Sequence, residues 1–283
     1  MSRLALIDGD ILVYRMLAAA SDSNYVVRDQ KGEVVHTLKA GVIDGKNGPR
    51  RAQEYLVEHN IHGGAFYKET TEPPIAYVGH LMSELLDKVA RRYSGGRRIF
   101  LSADTSFRNK IYPEYKANRP ERPRMVPEVR EMLVSHYGAF ISKKYEADDE
   151  ISMAAGTSAP TVMVSIDKDF LQVPGVHYDP FGEKEVLIDP IQANINLWSQ
   201  VIAGDAVDNI KGVPNFGLKK AFKYLQQFDD ESDFAVATAC LYTDSGLGLD
   251  DMVLNYRLVK LLGKPGEEDA PVYWLPWVKD IDW

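Results

Sequence analysis

The chain has 283 residues, a formal net charge of −8 and 45% hydrophobic against 26% charged residues, which is enough to bury a substantial core in one large domain or a domain with an appendage. Its single cysteine, Cys240, excludes an internal disulfide framework, and six scattered histidines (His36, His59, His62, His80, His136, His177) offer no zinc cluster. The first apolar run is broken by Asp8 and Asp10 and no stretch is long enough to span a bilayer, so neither a signal peptide nor a membrane partner is expected and the protein reads as cytoplasmic.

Leu4–Ile7 is a short apolar run that stops at Asp8, as a buried strand would. Residues 11–20 read as a helix. Residues 21–71 are rich in glycine and polar residues; within them VVRDQKGEVVHTL suggests a hairpin turning near Lys31-Gly32, and the remainder is unplaced. Val78, Leu81, Met82, Leu85, Leu86 and Val89 keep a helical period across 74–93. RIFLSA (98–103) predicts a strand ending at Asp104, and 105–124 a charged loop or arch.

Beyond it, 126–136 predicts a helix with Pro127 in its first turn, 139–142 a strand and 146–155 a helix. TVMVSI (161–166) is a β-branched strand ending at Asp167, and 176–188 reads as a hairpin about Phe181-Gly182. Everything after Pro190 reads as helical. The alternation predicts an α/β domain over 1–189 and a helical portion over 190–283 that ends in an acidic tail.

Acids gather where these elements end. Asp8, Asp104 and Asp167 each follow an apolar run, and ligands of parallel α/β sheets sit at the carboxyl ends of strands. EADD opens the helix at 146–155, with Glu146 and Asp149 three apart on one side, Asp148 flanking, and Glu150 assigned to solvent. Asp169 follows Asp167 by two, and GDAVDN adds Asp205 and Asp208. Any one of these acids could be a solvated surface residue or a partner of a helix dipole. Two carboxylates about 4 Å apart repel by roughly 4 kcal/mol at an effective dielectric near 20, so a repeated cluster points to hard divalent cations such as magnesium or manganese. Two such ions can drive phosphodiester hydrolysis.

The basic residues suggest the substrate. From Arg108 to Arg130 there are seven Lys/Arg and three Asp/Glu, whereas from Asp229 to Trp283 there are twelve Asp/Glu and four Lys/Arg. In 106–124, Arg108, Lys110, Lys116, Arg119, Arg122 and Arg124 interleave with Phe107, Tyr112 and Tyr115, a mixture suited to phosphate contact and base stacking. NIKGVPNFGLKKA places Gly212 and Gly217 around a turn into a helix bearing Lys219 and Lys220, a phosphate-binding arrangement.

Together LIDGDILVYR, SADTSFRNKIYPEYKANRP, YEADDEI, SIDKDF and GDAVDNIKGVPNFGLKKA resemble the 5′→3′ exonuclease and flap endonuclease family, which includes phage exonucleases and the nuclease domain of bacterial DNA polymerase I. The resemblance covers 4 to about 225 except 21–71. It implies a PIN-like, mostly parallel central sheet flanked by helices, with a helix-hairpin-helix-type element at 205–225. It implies that Asp8, Asp104, Glu146, Asp148, Asp149, Asp167, Asp169, Asp205 and Asp208 hold two Mg2+ ions, with Mn2+ able to substitute, and that Asp10 does not. Lys116 and Arg119 match the arch residues at the scissile phosphate. Arg108, Lys110, Tyr115, Gly212, Gly217, Lys219 and Lys220 are expected at the DNA, and a K+ ion at the hairpin.

Asn215-Phe216 departs from the family's Gly-Ile there. The expected protein is a monomeric, stand-alone, phage-type enzyme acting on DNA 5′ ends or 5′ flaps, alongside replication proteins. Two other readings compete: a PIN-like ribonuclease, against which the GVPxxG hairpin argues, and a non-catalytic DNA-binding accessory protein, against which the full acid set argues.

Overall fold

The computed structural model describes residues 2–39, 48–156 and 160–283. They cluster into two compact units, one of Met1–Leu12, Leu85–Pro123 and Arg130–Trp283, the other of Val13–Glu84 and Arg124–Val129.

In the first unit, strand β1 (Leu4–Asp8) is buried from Ala5 onward, as expected of an apolar run covered on both faces. It turns directly into helix α1 (Gly9–Ala20). A Cβ on Gly9 would lie 2.7 Å from the Phe100 carbonyl oxygen, so the turn needs glycine, and it leaves Asp8 at the strand's carboxyl end.

The second unit holds a sheet absent from the expected α/β alternation. Strands β2 (Asp22–Arg28) and β3 (Val34–Lys39) form the anticipated antiparallel hairpin. Its turn is set by Asp29 Oδ1, which accepts from the Lys31 and Glu33 amides, and by Gly32 at φ 82°. Helix α2 (Gly48–Glu58) and strand β4 (Ala65–Thr71) join the hairpin, with sheet order β3-β2-β4 and a small core of Tyr25, Val27, Ala52 and Leu56. Among the residues of α2 whose burial is described, Ala52 and Leu56 alone are buried, too thin a stripe to read as a period. Residues 40–47 of the unplaced segment lie outside the described residues.

The chain continues through α3 (Ile75–Arg92), β5 (Arg97–Leu101), α4 (Phe107–Ile111), α5 (Val126–Tyr137), β6 (Phe140–Ile141), α6 (Ala147–Ala155), β7 (Thr161–Val164), β8 (Gly175–Asp179) and β9 (Lys184–Ile188). The main sheet has order β6-β5-β1-β7-β8-β9 and is parallel except for β9. In it Ile7 sits between Ile99 and Val164. This is the mixed α/β architecture, mostly parallel at its centre, that the sequence implies.

After Pro190 come α7 (Pro190–Ala203), β10 (Gly204–Asp205), β11 (Ile210–Lys211), α8 (Leu218–Leu225), α9 (Glu231–Asp244) and α10 (Leu249–Val259). The portion is helical as expected, except that β10 and β11 form a two-residue antiparallel pair. Trp198, Tyr242, Tyr256 and Trp274 centre its core. Residues on both sides of 189 belong to the same compact unit. Beyond α10 the chain returns to α6, where Leu261 packs with Leu6, Ile151 and Phe170. Among the described residues no helix is long and apolar enough to cross a membrane.

Candidate active site

Helix α6 builds the centre of the site. Glu146 is its N-cap residue, Asp148 and Asp149 lie in its first turn, and carboxylates there oppose the helix dipole favourably. Ala147 and Ile151 on the opposite face pack with Leu6 and Phe100, which fixes the helix rotation. Oxygens of Glu146, Asp148 and Asp149 lie within 4.8 Å of one another, the one such metal-competent group among the described residues. Burial, then Asp149 and Glu146, push the Asp148 carboxyl well above the usual range. Burial acts the same way on Glu146, but Arg108 and Lys116 outweigh it and hold that carboxyl low. Glu150, expected to be a solvent acid, instead accepts from Ser142 Oγ at 2.6 Å.

Arg108 is not placed for DNA. It is 1% exposed, and its guanidinium is saturated within the protein. Nε donates to the Leu258 carbonyl (2.8 Å), Nη1 to Glu146 (2.9 Å) and Asp149 (2.7 Å), and Nη2 to Asp149 (2.9 Å) and the Lys260 carbonyl (2.8 Å). A loop-like sequence context disguised it, because its partners lie 38 to 152 residues away. Tyr115 is also buried rather than presented to a base; its hydroxyl contacts Glu146 at 3.0 Å and Asp208 at 3.3 Å. Burial, then Glu146, raise the pKa of that hydroxyl well above the usual value, so its single proton is shared between the two acids, Glu146 being the nearer.

The YKANR stretch closes on the acids. Lys116 pairs with Glu146, and its Nζ is 4.0 Å from Asp208. Arg119 Nε donates to Asp208 at 2.9 Å. The Lys116 amide donates to the Asp208 carbonyl at 3.0 Å, Asn209 Nδ2 to the Glu114 carbonyl at 3.0 Å, and the Asn118 and Asn209 carboxamides meet at 2.9 Å. Lys116 and Asn209 both adopt left-handed φ of 61° to make this junction. Lys110 remains exposed on α4.

A second acid group forms at Asp167, Asp169, Asp205 and Asp208. Asp167 caps a short 3-10 turn (Lys168–Gln172) and accepts from the Asp169 amide at 3.0 Å. Burial, then Asp167, raise Asp169 to about 6. Its buried Oδ1 has no hydrogen-bond partner among the described residues, with Lys168 Nζ 3.5 Å away. Lys168 Nζ bonds Asp205 at 2.8 Å and outweighs burial to hold that carboxyl low.

Asp8 accepts from the Ile11 amide and from Ser165 Oγ, each at 3.1 Å. Burial, then Asp10, then Asp167 lift it to about 7. Asp10 itself pairs with Arg130 and accepts from the Ser102 amide. Asp104 lies exposed beyond the end of β5, and no hydrogen bond or ion pair joins it to the other acids among the described residues.

The hairpin glycines serve different ends. A Cβ on Gly212 would come within 2.1 Å of the Ala203 carbonyl carbon, so this glycine permits backbone packing. Gly217, the N-cap residue of α8, faces open space. Lys219 is exposed. Lys220 folds back, its Nζ 3.2 Å from the Asn215 carbonyl and 3.9 Å from the Phe216 ring centroid.

A model of the 5′-3′ exonuclease N-terminal, resolvase-like domain matches residues 42–189, more than half of the chain. The chain belongs to this family. A flap endonuclease Xni of Aeromonas hydrophila is 31% identical over 187 residues, 55% of this chain and 67% of that protein. A DNA polymerase I of Rhizobium leguminosarum is 33% identical over 153 residues, 47% of this chain and 15% of the polymerase. The chain therefore spans a small part of the polymerase and about two thirds of the endonuclease. The T5 D15 protein co-crystallised with metal ions superimposes with a TM-score of 0.57 at 16% identity, covering 98% of this chain and 97% of that one. T5 5′-exonuclease with zinc bound gives 0.52 at 15% identity, over 98% and 93%. At these identities the likeness is one of fold.

Proposed function

We propose that the chain is a divalent-metal-dependent nuclease that hydrolyses DNA phosphodiesters from 5′ ends and at 5′ flaps, leaving 5′-phosphate and 3′-hydroxyl ends, in replication or repair. The observation that carries this reading is the junction at which Tyr115, Lys116 and Arg119 meet Glu146 and Asp208. It joins the two acid groups to the basic loop that a phosphate must pass.

The residues fit a hard divalent cation. Every donor is a carboxylate oxygen, as magnesium or manganese prefers, and Asp169 Oδ1 is buried without a hydrogen-bond partner among the described residues. Glu146 and Asp148, with Asp8 and Asp104, would hold one ion; Asp167, Asp169, Asp205 and Asp208 would hold a second. Bound there, the metal supplies the positive charge that activates water and stabilises the departing 3′ oxygen. The chain's own residues do the rest. Tyr115 orients a carboxylate of each group, and Lys116 and Arg119 stand where they can pass from the acids to the phosphoryl oxygens and offset their charge. Lys110, Lys219 and the open backbone at Gly217 are available to the DNA backbone.

A potassium ion at the hairpin fits less well. The Asn215 carbonyl is already engaged by the Lys220 ammonium, and no step depends on that ion. We place the enzyme in the cytoplasm as a monomer, with replication proteins as its partners.

The test uses a 5′-labelled flap and a blunt duplex, each as DNA and as RNA, with and without magnesium. Magnesium-dependent release of short products from the DNA substrates is expected. Preference for RNA would favour a ribonuclease, and binding without cleavage an accessory protein; either result overturns the reading.

A further inference from the structure

The family resemblance makes Asp149 a metal ligand and Arg108 a DNA contact, but the two side chains face each other in the interior. Asp149 is fully buried and Arg108 is 1% exposed. Two parallel hydrogen bonds of 2.7 and 2.9 Å join them, the bidentate geometry for which the planar guanidinium is suited. Asp149 Oδ1 also accepts from the Leu262 amide at 3.1 Å. This carboxylate is thus turned toward the protein, whereas Asp148 beside it makes no ion pair among the described residues.

The other partners of Arg108 belong to the segment that follows α10. The guanidinium takes the carbonyls of Leu258 and Lys260. Gln172 takes the intervening Val259 carbonyl at 2.9 Å and receives the Leu261 amide at 2.8 Å. Residues 258–262 are thereby fastened group by group between α4, α6 and the 3-10 turn that carries Asp169. Burying a charge is costly unless it is paired and hydrogen-bonded, and all five guanidinium N–H groups have an acceptor here.

We propose that Arg108 is a positioning residue, that Asp149 is its counter-ion and not a metal ligand, and that residues 258–262 are a structural part of the acid site. Arg108 holds Glu146 and Asp149 on one rigid fork, which leaves Asp148 as the carboxylate of the helix directed at a metal. The proposal rests on the metal-dependent reading of the site given above and sharpens which acids it uses.

A double-mutant cycle separates the roles. Mn2+ affinity and thermal unfolding are measured on the full chain for Asp149→Asn, Arg108→Met, the double variant, and Asp148→Asn. Asp149→Asn alone leaves the buried guanidinium with Glu146 as its remaining carboxylate partner and one excess positive charge beside the site, so it should lower the melting temperature and weaken Mn2+ binding about tenfold or more. Adding Arg108→Met restores the charge balance. The double variant should therefore melt above Asp149→Asn and bind Mn2+ to within about threefold of the unmodified protein.

A double variant that binds Mn2+ as weakly as Asp149→Asn overturns the proposal, because Asp149 would then be acting as a ligand in its own right. Asp148→Asn reports on the underlying reading: unchanged Mn2+ affinity there would reject the metal site itself. The melting temperatures of the cycle would still decide whether Arg108 and Asp149 are paired.

Discussion

The two acid groups are neutralised in opposite ways. At the start of α6, Glu146 and Asp149 are tied to a guanidinium that is 1% exposed. Across the Tyr115 hydroxyl, Asp169 and Asp205 share the ammonium of Lys168, whose side chain is 50% exposed, and Asp208 pairs with Arg119, which is 46% exposed. A buried, bidentate pair is set when the chain folds and is barely screened by salt, whereas an exposed lysine exchanges with solvent ions readily. One side of the site is therefore built rigid and the other is built to be exchanged, as would suit the proposed centre, which has both to hold a metal and to admit a phosphate.

The largest test of this contrast removes Asp148, the acid of the Glu146–Asp148–Asp149 group that has no ion pair among the described residues. Asp148→Asn should cut magnesium-dependent cleavage by roughly a hundredfold or more, since several kcal/mol of charge stabilisation go with the metal. Single-turnover rates across a magnesium titration would show it, and near-normal cleavage would mean that the rigid side is not the metal side. Tyr115→Phe breaks the bridge between the groups while keeping the ring. Loss of a buried hydroxyl bonded to charged partners is worth about 1.5–3 kcal/mol, so a drop in rate of about tenfold or more is expected with little change in DNA affinity. Equal effects on rate and binding would instead make Tyr115 a DNA contact.

Smaller effects are expected on the exchangeable side. Lys168→Met removes an ammonium that competes with any cation at Asp169 and Asp205, and should lower the magnesium needed for half-maximal cleavage by a few-fold, an effect that fades at high salt. An increased requirement would show that Lys168 supports the metal rather than competing with it.

The smallest effect lies outside both groups. Burial lowers the pKa of His177, which donates from Nε2 to the Val173 carbonyl at 2.8 Å. A depressed histidine pKa means that the unfolded chain binds the proton first, so this contribution to stability is intact above pH 6.5, the ordinary histidine value, and is lost as the pH falls below it. His177→Gln should flatten the fall in melting temperature below pH 6.5 while leaving cleavage at neutral pH unchanged.

Much of this arrangement could be read from the chain because local signals carry it. Asp8 and Asp167 stand where apolar runs stop, and EADD opens a helix whose apolar face is visible in its spacing. What could not be read depends on distance. Arg108 looks like one more charge in a basic loop, and only the return of residues 258–262, 150 positions later at the Leu258 carbonyl, makes it interior. Gly212 looks like part of a phosphate turn, but the nearby backbone of Ala203 is what excludes a side chain there. Helix α2 and strand β4 escaped because their buried stripe is too short to set a period.

The fastening of residues 258–262 also bears on how the protein is made. Leu262 follows Asp149 by 113 residues, so a nascent chain on the ribosome displays the acids and the basic loop well before it contains the acceptors that Arg108 requires. Until that late segment emerges, the guanidinium has no carbonyls at Leu258 and Lys260 to meet, and Asp149 lacks the Leu262 amide. Completion of the acid centre is thus tied to translation itself: Arg108 and Asp149 gain their full set of partners only once residues 258–262 have been synthesised.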